Sequence, residues 1–269
     1  MRDISEIPDT ILARVRGVFA DIDDTLSTDG RITAAAYSAM ERVRDAGLLM
    51  IPITGRPAGW CDHIARMWPV DAVVGENGAF YMRHDASLRN LTRRFVAGDA
   101  ERAANRNRLR AIGERILREI PGTAWASDQH YREADIAIDF CEDVPRLPQT
   151  DIDRIVALMR AEGMTARVSS IHVNGWFGSY DKLGMTRSLM REVFDIDLDA
   201  QKERFVFVGD SPNDSPMFGF FPLSVGVANV GDFAGRLDAE PKYVTRHRSG
   251  EGFVELIDDL LQAVTTARR

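Results

Sequence analysis

Four aspartates have the residue type and spacing to do metal-assisted chemistry. Asp21 and Asp23 are two residues apart, so an extended backbone directs both side chains to the same side. Adjacent carboxylates repel each other, which favours a bound cation or a shared proton. Asp210 and Asp214 would add two more oxygen ligands. A cluster of hard oxygen ligands without histidine or cysteine suits Mg²⁺ better than zinc, so the sequence predicts a magnesium site.

These polar residues follow apolar runs that read as β-strands. The runs that precede Asp21, Thr54 and Asp210 are residues 15–20, 48–53 and 204–208. Helical patterns separate the runs, and alternating strands and helices indicate a parallel α/β sheet. Ligands of such sheets sit beyond the carboxyl ends of the strands. We therefore expect the polar segments to meet at one edge.

The strand and helix rhythm changes after about residue 85. The segments that follow read as helices and half-buried antiparallel strands: a helix over 102–120, a strand within 125–140, a helix over 151–162 and a strand over 165–173. The α/β rhythm resumes at residue 182. We predict an α/β fold with a Rossmann-like parallel core, residues 1–85 and 176–269, and an inserted α+β domain, residues 86–175.

The composition of the 269-residue chain is globular, with 45% hydrophobic and 28% charged residues. A formal net charge of −7 argues against a general electrostatic affinity for nucleic acid. The sequence has no apolar run of about 18 residues and no signal-peptide pattern, so we expect no membrane partner. Its two cysteines fit a reducing cytoplasm. We expect a monomer or a small homo-oligomer.

The polar segments resemble the four motifs of the haloacid dehalogenase superfamily of phosphatases. The residues that carry this resemblance are 21–25 (DIDDT), Thr54 with Gly55 and Arg56, Lys182, and 209–214 (GDSPND). An insert between the second and third motifs is similar to the Cof-like, class IIB subfamily with a C2-type cap. GENGA at residues 75–79 resembles a loop common among its sugar phosphatases.

The resemblance implies a Mg²⁺-dependent phosphomonoesterase with an aspartyl-phosphate intermediate. Asp21 would be the nucleophile and Asp23 the general acid and base, while Lys182 would place a positive charge between the phosphate and the nucleophile. The metal would be held by Asp21, the backbone carbonyl of Asp23, and Asp210, with Asp214 binding directly or through water. The implied phosphate-binding residues are Thr54, Gly55, Arg56 and Asn213.

The composition supports this reading of Lys182. Only three of the 34 basic residues are lysines, and Lys182 stands where the third motif requires one. Arg56 is compatible with a substrate contact and equally with a surface side chain. The residues that we consider as weaker specificity candidates, with turn formation or hinge packing as the alternative, are Glu76, Asn77, His172 and Asn174.

The expected substrate is a small phosphorylated metabolite, with a sugar phosphate favoured, and the insert acting as a lid over it. One alternative is a phosphosugar mutase that uses the same aspartates. A less favoured alternative is a phosphoaspartate regulatory protein, since receiver domains also combine acidic residues, threonine and lysine. An insert of about 90 residues argues for a lid, because compact receiver domains have no such element.

Overall fold

The computed structural model describes residues 1–268. Within them, a six-stranded parallel sheet forms the core, which confirms the predicted α/β class. Its strands in spatial order are Arg2–Asp3, Tyr243–Val244, Leu223–Gly226, Phe205–Gly209, Gly17–Ala20 and Leu49–Pro52.

Helices cover both faces of the core sheet. Successive strand residues point to opposite faces, so Val18 and Ala20 join one hydrophobic cluster while Phe19 joins another. Burial on both faces explains why these strands read as continuous apolar runs. The helices packed on the first face include Ala34–Asp45 and Ser249–Ala267, and those on the second include Lys182–Phe194 and Ser215–Phe220.

Local capping sets the ends of the helices that matter for the site. The Asp181 side chain accepts the backbone N–H of Gly184 and begins the helix Lys182–Phe194, which ends at the left-handed Asp195. Lys182 is thereby fixed at the first position of a buried helix. The remaining helices outside residues 99–176 are Asp9–Leu12, Ala58–Met67 and Leu198–Gln201. Across residues 1–268, none of the helices combines the length and the apolarity needed to cross a membrane.

A three-stranded antiparallel sheet continues from the core. It consists of Val73–Gly75, Phe80–Asp85 and Asn90–Phe95, and a parallel bridge between Ile53 and Val74 connects it to the core. The predicted domain boundary at residue 85 falls inside the hairpin of this sheet. Residues 90–95 pair with residues 80–85 along their full length and thus stay beside the core. A short hairpin of Ser27–Thr28 and Arg31–Ile32 follows the first core strand.

Residues 99–176, which we call the insert, form a separate layer of helices on an antiparallel sheet. Their apolar side chains, among them Ile116, Ile138 and Ile155, make a third hydrophobic cluster. The helices are Asp99–Glu119 and Gln149–Ala161. The strands in spatial order are Thr165–Val168, His172–Trp176, Asp135–Asp139 and Ala124–Trp125.

Two expectations about the insert differ from the structure. The strand predicted over residues 165–173 is a hairpin, because the Ser169 hydroxyl accepts the backbone N–H groups of Ile171 and His172 and closes a turn. The strand Asp135–Asp139 is buried along its whole length and not half-buried. The carboxylates of Asp135 and Asp139 find their hydrogen-bond partners within the insert, so alternation in the sequence does not signal solvent here.

Candidate active site

The first and fourth motifs lie at one edge of the core sheet. In the parallel ladder Ala20 lies beside Val208 on one side and beside Pro52 on the other. Asp21 follows the first of these strands, and Asp210 follows its neighbour. Because neighbouring parallel strands end at the same edge, two aspartates 189 positions apart in the sequence become adjacent.

Asp21, Asp210 and Asp214 form a buried acidic trio. One carboxylate oxygen from each lies within 4.8 Å of the others. All three side chains are buried, with Asp210 and Asp214 fully so. The carboxylate of Asp23 stands outside the trio and contacts Arg56. The trio has the oxygen donors and the spacing to hold a divalent cation.

Hydrogen bonds fix the orientation of the trio. Thr25 Oγ1 donates to one oxygen of Asp210 at 3.2 Å, and Asn229 Nδ2 donates to the other at 3.2 Å. Asp214 Oδ2 accepts the backbone N–H groups of Asp210 at 3.0 Å and of Ser211 at 3.2 Å. The carboxylates of Asp210 and Asp214 are therefore oriented before any ligand binds, which lowers the entropic cost of binding.

Lys182 supplies the positive charge at the trio. Its ammonium nitrogen lies 2.8 Å from Asp21 Oδ1 and 2.7 Å from Asp214 Oδ1. The side chain is 1% exposed, so its charge is desolvated and depends on these two partners. The structure thus brings the residue of the third motif to residues of the first and fourth.

The pKa values of Asp21, Asp210 and Lys182 are shifted from their usual values. Burial raises the pKa of Asp21 to about 8; Asp214 and Asp23 add to this effect and Lys182 opposes it. Burial, followed by repulsion from Asp21 and Asp214, raises the pKa of Asp210 well above its usual value. Burial alone would lower the pKa of Lys182, but the two carboxylates outweigh it and raise the pKa. One lysine does not neutralise three carboxylates, so bound protons or a further cation are favoured here.

Arg56 contacts three carboxylates. Its Nε lies 2.9 and 3.0 Å from the two oxygens of Asp23. Its Nη1 reaches Asp128 at 3.1 Å, and its Nη2 reaches Glu142 at 2.6 Å. Asp128 and Glu142 belong to the insert. The sequence suggested a phosphate contact or a surface side chain for Arg56; the structure shows a buried guanidinium that joins the first motif to the insert.

The second motif and Asn213 adjoin the trio. Thr54 is fully buried, and its Oγ1 accepts the backbone N–H of Arg56 at 3.0 Å. Gly55 and Asn213 both line the cavity described next. Asn213 Nδ2 donates to Asn77 Oδ1 at 3.2 Å, so Asn77 contacts the fourth motif and is not itself a cavity residue.

A small cavity separates the core edge from the insert. Its volume is about 10 Å³, which is room for a single water molecule. Nine residues line it: Asp21, Asp23, Gly55, Arg56 and Asn213 from the core, and Arg132, Ser169, His172 and Asn174 from the insert. The insert is therefore closed over the aspartates. Two of the predicted specificity candidates, His172 and Asn174, lie in the cavity wall.

A chain of polar contacts runs from His172 to the first motif. His172 Nε2 lies 2.8 Å from Glu142 Oε2, and the other oxygen of Glu142 contacts Arg56. Burial acts to raise the pKa of Glu142, but the neighbouring His172 and Arg56 outweigh it and lower the pKa to about 2. Glu142 is therefore an ionised carboxylate that links the cavity wall to Arg56.

Glu76 is buried beneath the insert and is not at the rim of the site. Its carboxylate accepts backbone N–H groups from Ala58 and from residues 133–135. Burial, together with the charge of Asp135, raises the pKa of Glu76 to about 8. From the sequence, a role at the rim of the site and a simple turn are the two alternatives for Glu76. The insert covers this turn, which the local sequence does not reveal.

Four insert residues at the site were not singled out from the sequence: Asp128, Arg132, Ser169 and Glu142. Arg132 donates to Asp128 and Asp135 within the insert and to the backbone carbonyl of Gly55 in the core. The available signal was an arginine three residues before an aspartate at the start of an apolar strand. Such spacing is common on surfaces, so it does not by itself identify a site.

Comparisons with known proteins agree with the motifs and the fold. A family model described as haloacid dehalogenase-like hydrolase matches residues 18–99. The search of curated proteins finds no match.

Solved structures share the fold at low sequence identity. A Thermoplasma acidophilum protein is 18% identical, with a TM-score of 0.67 over 92% of this chain and 98% of that chain. The sucrose-phosphatase of Synechocystis sp. PCC6803, solved with sucrose and phosphate, is 16% identical, with a TM-score of 0.60 over 91% and 97%. The C-terminal domain of trehalose-6-phosphate phosphatase from C. albicans is 12% identical, with a TM-score of 0.68 over 96% and 97%.

The matched segment holds the first two motifs, and the third and fourth motifs complete the same buried site. The shared fold extends over nearly the whole chain. Residues 18–99 thus match a model of haloacid dehalogenase-like hydrolases, and the chain shares its fold with the solved structures over nearly its whole length.

Proposed function

We propose that the protein is a Mg²⁺-dependent phosphomonoesterase that acts on a small phosphorylated metabolite. The observation that carries this proposal is the buried contact of Lys182 with both Asp21 and Asp214, beside Asp210, at the carboxyl edge of the sheet. A nucleophilic carboxylate, a metal-binding trio and a fixed ammonium group are the parts that phosphoryl transfer needs.

The donor set fits Mg²⁺. The acidic trio offers carboxylate oxygens without nitrogen or sulfur ligands, and the backbone carbonyl of Asp23 is proposed as a further ligand. When bound, the ion would neutralise charge on the phosphoryl group and on the nucleophile. The charge imbalance of the trio supports a resident cation.

Asp21 would act as the nucleophile. Its carboxylate oxygen forms a bond to phosphorus while the bond from phosphorus to the substrate oxygen breaks, which gives an aspartyl-phosphate. Lys182 holds Asp21 Oδ1 at 2.8 Å and orients the carboxylate for this attack. The ammonium charge also offsets the negative charge that gathers in the transition state.

Asp23 would act as the general acid and the general base. It donates one to the departing oxygen in the first step and takes one from the water that attacks phosphorus in the second, which regenerates Asp21. In the closed structure both oxygens of Asp23 face Arg56. Two of the three carboxylates on Arg56 belong to the insert. When the insert moves, an entering phosphate would compete with Asp23 for the guanidinium, and this competition would make Asp23 available.

The phosphate would be held by backbone and side-chain donors. We propose the hydroxyl of Thr54, the backbone of Gly55 and the amide of Asn213 for this role. Gly55 and Asn213 line the cavity, and Thr54 directly precedes Gly55. Arg56 is proposed to contact the phosphate once its insert partners have withdrawn.

The insert would act as the cap that selects the substrate. A cavity of about 10 Å³ cannot contain a phosphorylated sugar, so the insert must move away for the substrate to enter. His172 and Asn174 would then contact the part of the substrate beyond the phosphate. We propose a C2-type cap and a sugar phosphate, supported by the fold shared with sucrose-phosphatase. Both cysteines are free thiols, which supports the proposed cytoplasmic setting.

Phosphate release tests this proposal. We expect the purified chain to hydrolyse p-nitrophenyl phosphate and members of a sugar-phosphate panel with Mg²⁺ and not with EDTA. Asp21→Asn should abolish turnover, whereas Asp29→Asn, an exposed aspartate in the same segment whose left-handed φ of 49° suits asparagine, should not. Absence of turnover on every ester by a folded wild-type protein would refute the proposal.

A further inference from the structure

The loop of residues 75–79 is held in an uncommon backbone conformation. Glu76 has φ of 43° and Asn77 has φ of 54°, so two consecutive residues other than glycine adopt left-handed geometry. Each such residue costs about 1–3 kcal/mol and persists only where its surroundings enforce it. Gly78 has φ of 104°, and a Cβ there would lie 2.0 Å from the carbonyl oxygen of Asp181. The loop is therefore packed directly against the start of the helix that carries Lys182.

In this conformation the Glu76 carboxylate lies under the insert. Its Oε1 accepts the backbone N–H of Ala58 at 2.9 Å and of Glu133 at 3.0 Å. Its Oε2 accepts the backbone N–H of Ala134 at 2.6 Å and of Asp135 at 3.2 Å. Glu76 is 0% exposed. We call the carboxylate together with the N–H groups of residues 133–135 the Glu76 clasp.

The clasp holds the segment that reaches the active site. Arg132, directly before it, donates to the backbone carbonyl of Gly55 at 2.9 Å and lines the cavity. Arg132 also donates to Asp128, which in turn contacts Arg56. A backbone shift at residues 133–135 would therefore be transmitted to the residues around Asp23. On the other side of the loop, Asn77 contacts Asn213 of the fourth motif.

We propose that Glu76 is a positioning residue that fixes the closed insert over the catalytic aspartates through the clasp. The effect of Glu76 on turnover rests on the phosphatase function proposed above, whereas the clasp as a structural contact does not depend on that function. Glu76 does not line the cavity, so its carboxylate acts through Arg132 and Asp128 and not on the substrate.

The isosteric variant Glu76→Gln tests the clasp. In this variant the side-chain NH₂ group would face backbone N–H groups, which leaves these donors without an acceptor. The negative charge is also lost, while the volume of the side chain stays the same. The matched control is Glu133→Gln, the same substitution in the clasp segment at a side chain that is about one-third exposed. Hydrogen exchange of the full substrate-free chain is measured by mass spectrometry. We expect amides 133–135 to exchange at least about tenfold faster in Glu76→Gln and unchanged in the control.

The kinetic arm measures hydrolysis of p-nitrophenyl phosphate with Mg²⁺. Displacement of reacting groups by about 1 Å lowers turnover by up to about 100-fold. We therefore expect kcat of Glu76→Gln to fall at least about tenfold while KM changes less than about threefold. The control should keep wild-type values. Glu76→Asp, which retains the charge but is shorter, should fall between the two and serves as the test variant should Glu76→Gln not fold.

The outcomes separate the two proposals. Unchanged exchange at residues 133–135 in a folded Glu76 variant would overturn the clasp. Faster exchange with wild-type kcat would overturn the positioning role. Absence of turnover in the wild-type enzyme would refute the phosphatase function, and the exchange measurement would still decide on the clasp.

Discussion

The substitution Lys182→Met tests the charge balance of the acidic trio. Methionine is close to lysine in length and removes the ammonium that lies 2.8 Å from Asp21 and 2.7 Å from Asp214. At an effective dielectric constant of about 20, two opposite unit charges about 3.5 Å apart attract each other by about 5 kcal/mol. Desolvation of the ammonium and repulsion between the carboxylates offset part of this attraction. Removal of one partner from a buried ion pair costs about 3–5 kcal/mol, and we expect that loss here.

The assay is urea unfolding of the full chain without metal, since a bound cation would replace part of the missing charge. The control is Lys242→Met, because within residues 1–268 the exposed Lys242 side chain makes no ion pair. The control should change the free energy of unfolding by less than about 0.5 kcal/mol. Added Mg²⁺ should return part of the stability of Lys182→Met.

The loss should also depend on pH. Burial raises the pKa of Asp21 in the folded protein to about 8 from 3.8, so this residue makes folding less favourable as the pH rises from about 4 to about 8. Above pH 8 the wild-type carboxylate is ionised beside Lys182, whereas in the variant it must stay protonated or stand unpaired. The difference between variant and wild type should therefore grow above pH 8. A loss below about 1 kcal/mol, or one equal to that of Lys242→Met, would refute this account of the site.

Three further predictions concern the metal, the ionic contacts and the packing. Mg²⁺ at about 100 times its Kd should raise the free energy of unfolding by about 2.7 kcal/mol, and Asp210→Asn should remove this effect. An equal rise in Asp210→Asn would contradict the proposal that the acidic trio binds the metal. The pKa of Glu142 is lowered to about 2 from 4.5, so its contribution to stability is present above pH 4.5 and is lost as the pH falls towards 2. Glu142→Gln should therefore make the urea midpoint less dependent on pH between 4.5 and 2. An unchanged slope in this variant would contradict the ionic contacts of Glu142. Gly113→Ala should lower the melting temperature although alanine favours helices, because the new Cβ would lie 1.8 Å from the Trp125 ring. The control is Asn107→Ala on the exposed face of the same helix. A higher melting temperature in Gly113→Ala would refute the packing argument.

The sequence contained enough information for the core fold and for the residues of the trio. Apolar runs that end in aspartate or threonine predict strands and their carboxyl ends, and parallel pairing then requires one shared edge. Asp21 and Asp210 follow from this reasoning because each stands at the end of a strand, whereas Lys182 was predicted from its match to the third motif and from the scarcity of lysine. The same local reasoning fails in the insert, where Asp135–Asp139 alternates like a half-exposed strand and yet is buried on both faces.

Other parts of the site depend on how the insert sits on the core. Arg56 meets Asp128 and Glu142 across separations of 72 and 86 residues, and no periodic pattern encodes such a pair. The boundary at residue 85 could not be placed correctly either, because the composition does not show that residues 90–95 pair back onto residues 80–85.

The sequence by itself determined the chemistry that is possible at the sheet edge, because that chemistry depends on residue types placed at strand ends. Only the tertiary structure decided that the insert closes over this edge, that Arg56 joins the two parts, and that Glu76 is buried as an acceptor for three insert amides. The physical reason is that backbone N–H groups are present in every sequence. Which carboxylate they meet is set by the packing of distant elements and not by local residue type.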